Sequence, residues 1–146
     1  MIKNVTGGNI MEDNCIFCKI IKGDIPSTAV YEDDDVKAIL DVNPAAEGHV
    51  IVIPKEHAEN VFSISDEALM KTICVAKRVA AALKKAYNCD GVNIIQNNGE
   101  AAGQTVFHLH IHVIPRYEGD TVNVGWKPGD KPENMEEIAA KIKADI

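Results

Sequence analysis

No apolar run in the 146 residues has the length that a membrane-spanning helix takes, about 20 residues. The opening stretch MIKNVTGGNI has no apolar core of the signal-peptide kind, so the cytoplasm is the expected compartment. Positive charge is in deficit: 15 Lys and Arg against 22 Asp and Glu leave a net charge of −7. That balance argues against a non-specific grip on a nucleic-acid backbone, which needs a basic face. Internal repeats, low-complexity tracts and obvious linkers are lacking as well, so one domain with a real core is expected. Met11 stands just before the polar lead-in to the first motif. Residues 1–11 are therefore set apart as a flexible N-terminal extension, and 12–146 as the domain.

Cysteine is scarce, with four in the chain. Cys15 and Cys18 form a C-x-x-C, whereas Cys74 and Cys89 lie far apart. In a reducing compartment the close pair points to metal or redox chemistry and away from a disulfide.

The segment CIFCKIIKGDIPS (15–27) reads as a short, partly helical piece stopped by Gly23 and Pro26. TAVYEDD and VKAILDV read as a hairpin with Asp33–Asp35 as its solvated turn. GHVIVIP (48–54) is dense in β-branched residues and ends at Pro54, the mark of a third strand. DEALMKTICVAKRVAAALKKAYN is the one long helix. Ser65 is placed to cap it, and Asp66, Glu67, Lys84 and Lys85 suit the two ends of its dipole. Its expected apolar stripe is Leu69, Ile73, Ala76, Ala80, Leu83 and Tyr87. GVNIIQ (91–96) and a histidine-bearing strand complete the sheet, and Met135, Ile138, Ile142 and Ile146 predict a shorter C-terminal helix. Strands joined by tight turns, with helices grouped apart, indicate an antiparallel α+β domain.

The histidine-bearing strand is QTVFHLHIHVIP. Alternation along a strand sends Phe107, Leu109, Ile111 and Val113 to the core, and His108, His110 and His112 together to the other face. Ahead of it, NNGEAAGQT (97–105) has the glycines and asparagines to turn backbone N–H groups toward an anion. From Gln96 to Ile114 there is no Lys or Arg, so a phosphate would meet neutral donors and imidazoles. Such a site favours charge that develops during reaction. A neutral imidazole with one nitrogen free can attack phosphorus and split one displacement into two. Two of the histidines on one zinc with an activated water is the rival arrangement. Cys15, Cys18, His57 and one triad histidine would also compose a closed structural zinc set.

Taken together, these stretches resemble the histidine triad, or HIT, family. HLHIHVI matches its His-φ-His-φ-His-φ-φ signature (φ apolar). CIFCKIIKGDIPS, LDVNPAAEGHVIVIPKEH and NNGEAAGQTVFHLHIHVIPR are similar to the corresponding stretches of its Hint branch. The resemblance implies the HIT fold: a five-stranded antiparallel sheet with one long helix and short helices, and a homodimer that continues the sheet across two chains. It implies hydrolysis of nucleoside phosphoramidates and other AMP conjugates, purine nucleotides being the substrates and no organic cofactor being used. His110 would be the nucleophile, His112 would contact the phosphate, and His49 would stand behind His110 in a relay. Asp41 and Val42 fall where the family grips the ribose, with apolar residues such as Ile39 flanking the base. Asn97, Gly103, Gln104 and Thr105 fall around the phosphate. Thr105 replaces a Ser of the best-known Hint members, which predicts a change of rate or leaving-group preference. Cys15, Cys18, His57 and His108 are the implied zinc ligands, so the triad divides its labour. Dinucleoside polyphosphate hydrolysis, and a nucleotide-binding regulatory module with incidental turnover, are the alternatives. Trp126 is expected to pack the tail.

Overall fold

The acidic turn that joins the first two strands is built by one side chain. In the computed structural model, which describes residues 12–146, Asp33 Oδ1 accepts the N–H groups of Asp35 and Val36, both at 2.8 Å. It thereby closes the hairpin between β1 (Ala29–Glu32) and β2 (Val36–Leu40). The extension expected over 1–11 lies outside the described residues. β3 (Val50–Pro54), β4 (Gly91–Ile95) and β5 (Ile111–Arg116) complete an antiparallel sheet in the order β1-β2-β3-β5-β4. Three α-helices accompany it among the described residues: α1 (Ile16–Lys22), α2 (Asp66–Tyr87) and α3 (Met135–Lys143). The α+β class and the five strands are as expected.

Strand alternation divides the core in two. Val36, Ala38, Val50, Val52, Leu109, Ile111 and Val113 pack beneath α2. On the opposite face Ile39, Ile51 and Ile53 pack with Phe17, Cys18 and Ile20 of α1. Each fully buried Val, Leu, Ile or Phe among them contributes about 1.5–3 kcal/mol, so both layers hold the sheet.

The helix α2 starts at the expected cap, Ser65 Oγ accepting the Ala68 N–H at 3.2 Å. It ends at Asn88, whose φ of 49° is left-handed. Its buried line is Thr72, Val75, Ala76, Val79 and Leu83, which corrects the expected stripe. Ile73 and Tyr87 are 43% and 39% exposed. Thr72 hid the true line because it is polar. It tolerates full burial because its hydroxyl donates to the Ala68 carbonyl at 2.6 Å.

Two further expectations need correction. Phe107 is 44% exposed, not in the core, because β5 begins only at Ile111. Regular alternation does not extend back to Phe107. Trp126 is 87% exposed and packs no tail within the single chain. α3 forms where predicted, but none of its residues is buried.

Candidate functional site

Three histidines two residues apart end in two places. The segment 108–110 precedes β5 and is held by the Leu109 N–H donating to the Ala58 carbonyl at 2.7 Å. The His108 ring turns toward α1. Its Nε2–H donates to the Pro54 carbonyl at 2.8 Å, which leaves Nδ1 as an unprotonated acceptor. That nitrogen lies 3.3 Å from Cys15 Sγ, 3.5 Å from Cys18 Sγ and 3.1 Å from His57 Nδ1. Cys18 Sγ is 3.3 Å from His57 Nδ1.

All four ligand atoms lie within 4.8 Å of one another. Tetrahedral bonds of about 2.0–2.3 Å would set them roughly 3.3–3.8 Å apart. The residues therefore fit a closed metal site of Cys₂His₂ composition. The His108 bond to a carbonyl is the orienting contact that metal-bound imidazoles generally make. Without a metal, burial pushes the His108 imidazole down to about 4 and pushes the Cys18 thiol up.

His110 is the inverse case. Its Nδ1–H donates to the backbone carbonyl of His108 at 2.7 Å, so Nε2 carries the free lone pair. Burial lowers its pKa, partly opposed by that carbonyl bond, and the ring stays neutral near pH 7. Phe17, seated between the two cysteines on α1, meets the ring edge-on at a centroid distance of 5.0 Å.

His112, in β5, pairs across the sheet with Ile51, and its ring lies 4.9 Å from that of His110. Its proton can be located from its neighbours. His49 Nδ1 accepts the Ala45 N–H at 3.0 Å, so the proton of His49 sits on Nε2. That Nε2–H donates to His112 Nδ1 at 2.9 Å, with Asp41 Oδ2 3.5 Å away. His112 is thereby left with Nε2 as a donor. The relay expected behind His110 is thus corrected: His49 stands behind His112, and a main-chain carbonyl stands behind His110.

Asp41, His49 and His112 also converge closely enough for a metal. A metal on His49 Nε2 would move the proton to Nδ1, directly against the Ala45 N–H. This second cluster is a hydrogen-bonded chain, which disfavours the metal-activated-water arrangement.

His110 and His112 line a cleft of about 330 Å³ with Asp41, Val42 and Thr105. Its apolar walls include Phe17, Ile20, Ile39 and Ile51. A groove of about 490 Å³ lies elsewhere, between β1 and α2, and includes none of the histidines.

The loop before the triad behaves differently from the expectation. The N–H groups of Ala102, Gly103 and Gln104 donate to the carbonyls of Gly99, Glu100 and Gly99. Gln104 is 2% exposed; its amide donates to Glu59 and Val106, and its carbonyl accepts from Gly99. The loop is fastened to itself, and Asn97, Gly103 and Gln104 do not line the cleft. Gly99 and Gly103, at φ of 89° and 90°, permit that closure.

Phe17, the Ala45 N–H and the carbonyls of Pro54 and His108 were not foreseen. The main-chain groups carry no sequence signal. Phe17 and Ile20 could have been found from their place in the helix that carries Cys18.

Comparison with known proteins gives the family of the chain. The chain is 46% identical over 134 residues to Protein hit of Bacillus subtilis, covering 89% of this chain and 92% of that one. It is 42% identical over 136 residues to a Schizosaccharomyces pombe protein named adenosine 5′-monophosphoramidase, covering 89% and 99%. A solved HIT family structure from Bacillus subtilis matches with a TM-score of 0.85 at 45% identity, covering 92% and 98%. A Zn-bound histidine triad family protein from Mycobacterium smegmatis matches with a TM-score of 0.73 at 36% identity, covering 91% and 98%. The HIT domain matches residues 22–119, and with these relatives along nearly the whole chain the protein belongs to the HIT family.

Proposed function

We propose that the protein hydrolyses adenosine 5′-phosphoramidates and related AMP conjugates through a nucleotidyl-histidine at His110. The observation that carries this reading is the assignment of protons: a free Nε2 lone pair on His110 beside an Nε2–H on His112, in one cleft. The phosphoramidase name of the Schizosaccharomyces pombe relative agrees with it.

In the first step His110 Nε2 forms a bond to phosphorus as the P–N bond of the substrate breaks. The leaving nitrogen, protonated beforehand, takes the bonding pair and departs as the neutral amine. The positive charge passes to the N-phosphoryl imidazole, whose Nδ1–H is already held by the His108 carbonyl. His112 Nε2–H donates to a phosphoryl oxygen, and that bond strengthens as charge gathers there. Water then adds to phosphorus, the P–N bond returns its pair to His110, and one proton goes back to solvent. Asp41 receives the ribose hydroxyls and the apolar walls take the base, with Val42 at the rim.

Zinc is our choice of ion for Cys15, Cys18, His57 and His108, in a purely structural role. The reading includes a homodimer built through the free edge of β4. Its four free cysteines suit the reducing cytoplasm. Neither a nucleic acid nor a membrane is a partner in this reading. Among the described residues no helix is long and apolar enough to cross a membrane.

Intact-protein mass spectrometry during turnover of adenosine 5′-phosphoramidate tests the reading. Wild-type protein should carry a transient adenylyl adduct, and His110→Ala should lose the adduct and roughly 10⁴-fold or more in kcat. Turnover without an adduct, or undiminished in His110→Ala, would overturn covalent catalysis.

A further inference from the structure

We propose that a second hollow beside the cleft receives the leaving group and favours leaving amines that carry an additional positive charge over anionic ones. The inference rests on the hydrolase reading above. The hollow measures about 330 Å³ and shares Ile16, Thr105 and Val106 with the histidine-lined cleft. These three residues form a common wall. Asp41 and Val42 belong to the cleft alone, whereas Glu12, Asn14 and Phe107 belong to the hollow alone. A substrate with its ribose at Asp41 and its phosphorus at His110 therefore reaches Thr105 with whatever it bears beyond phosphorus.

The chemistry of the hollow is one-sided. Phe107 offers an apolar face that is 44% exposed, and Val106 and Ile16 extend it. Apart from His57, which faces Cys18 and His108 through Nδ1, Glu12 is the one ionisable side chain exposed in its wall among the described residues. The Glu12 side chain is 60% exposed, with Oε2 3.4 Å from His57 Nε2. Among the described residues neither the hollow nor the cleft is lined by Lys or Arg. A polyphosphate leaving chain would bring several negative charges to a wall that, among the described residues, has no Lys or Arg and one carboxylate. An alkyl amine ending in an ammonium group lays its stem along Phe107 and its charge near Glu12, as amphipathic cations do on apolar surfaces.

In the reaction, the P–N bond to this amine breaks as the bond to His110 Nε2 forms. The amine departs with the electron pair and with the proton it acquired beforehand, so the hollow holds a neutral amine whose distant ammonium is unchanged. This geometry gives a physical reason for Phe107 to face outward.

Three adenosine 5′-phosphoramidates test the inference, with leaving amines pentylamine, 1,5-diaminopentane and 5-aminopentanoate. At low salt, wild-type kcat/KM should rank diamine above pentylamine above the carboxylate, with about fivefold between the extremes, as for a partly exposed charge pair. Glu12→Gln should bring that ratio toward one, and Asn14→Lys should invert it. A flat ranking in wild-type protein, or a ranking unmoved by both substitutions, would overturn the subsite while leaving the hydrolase reading intact. Absence of turnover for all three and for the unsubstituted amidate would overturn the hydrolase reading, and this inference with it.

Discussion

The backbone carbonyl of His108 accepts the Nδ1–H of His110 at 2.7 Å, while the His108 ring faces two cysteines. One residue therefore ties the proposed metal set to the proposed nucleophile. Its ring fixes where the main chain runs, and the main chain fixes which nitrogen of His110 is free. A structural metal on this reading has a consequence for activity without touching substrate.

Removal of the metal should accordingly lower both stability and turnover. Protein purified without added zinc should contain about one zinc per chain by elemental analysis. Cys18→Ser or exhaustive chelation should lower the unfolding midpoint by roughly 10–15 °C, the scale of a ligand lost from far above its Kd. Catalytic rate should fall with it, since the His110 tautomer loses its fixed partner. An apoprotein with an unchanged midpoint would refute the assignment.

Acid should weaken the fold through His49 and His112. Burial holds both imidazoles below the ordinary histidine range, with Asp41 opposing it in each case. Unfolded, they take up protons near pH 6.5; folded, they do so only at lower pH. The unfolded state binds more protons in that window, so stability present above about 6.5 is lost as pH falls through it. The unfolding midpoint should drop between pH 7 and 5, and drop less in a His49→Gln, His112→Asn double variant. Equal drops in the two proteins would place the sensitivity elsewhere.

Ser65 has a local role that a single substitution isolates. Its Oγ caps α2 through Ala68 and donates to Glu56 Oε2 at 2.8 Å, and its N–H donates to Glu56 Oε1 at 3.0 Å. Ser65→Ala removes the side-chain bonds and keeps the main-chain one. The expected cost is about 1 kcal/mol in urea unfolding, with no change in the slope. A neutral result would mean that Glu56 alone can hold the start of α2.

Much of this was legible wherever one physical rule governs a whole segment. The β-branched run at 50–54 and the capped, periodic stretch at 66–87 could hardly form anything else. Local rules failed where a main-chain bond overrides a pattern. Alternation correctly set His108, His110 and His112 opposite Leu109, Ile111 and Val113, but it failed at Phe107, where the Leu109 N–H bond to Ala58 and the late start of β5 interrupt the strand. The glycines at 99 and 103 do take positive φ, yet the loop N–H groups and the Gln104 amide close the loop on itself and do not turn toward an anion. Thr72 is missing from the expected stripe because a helix-internal hydroxyl bond is invisible in a hydropathy pattern. The partners of His49 and His110 are backbone groups or residues distant in the chain. No spacing rule reports them.

The free edge of β4 supplies the last prediction. Among the described residues β4 pairs only with β5, so alternate N–H and C=O groups along Gly91–Ile95 face outward. Ile94 on this strand is 44% exposed, on the same sheet face as Val92, which packs against the α2-side core. Met70 and Ile73 leave α2 with outward apolar side chains, 60% and 43% exposed. An unpaired edge beside an apolar helix face invites a second copy, and antiparallel pairing of two β4 strands would extend the sheet across both chains. Light scattering should give twice the chain mass of 15.9 kDa. Ile94→Lys places a charge in the seam and should yield the single-chain mass while the far-ultraviolet circular dichroism is retained. A wild-type protein of single-chain mass at micromolar concentration would rule the dimer out, and an Ile94→Lys protein that still doubles its mass would move the interface away from β4.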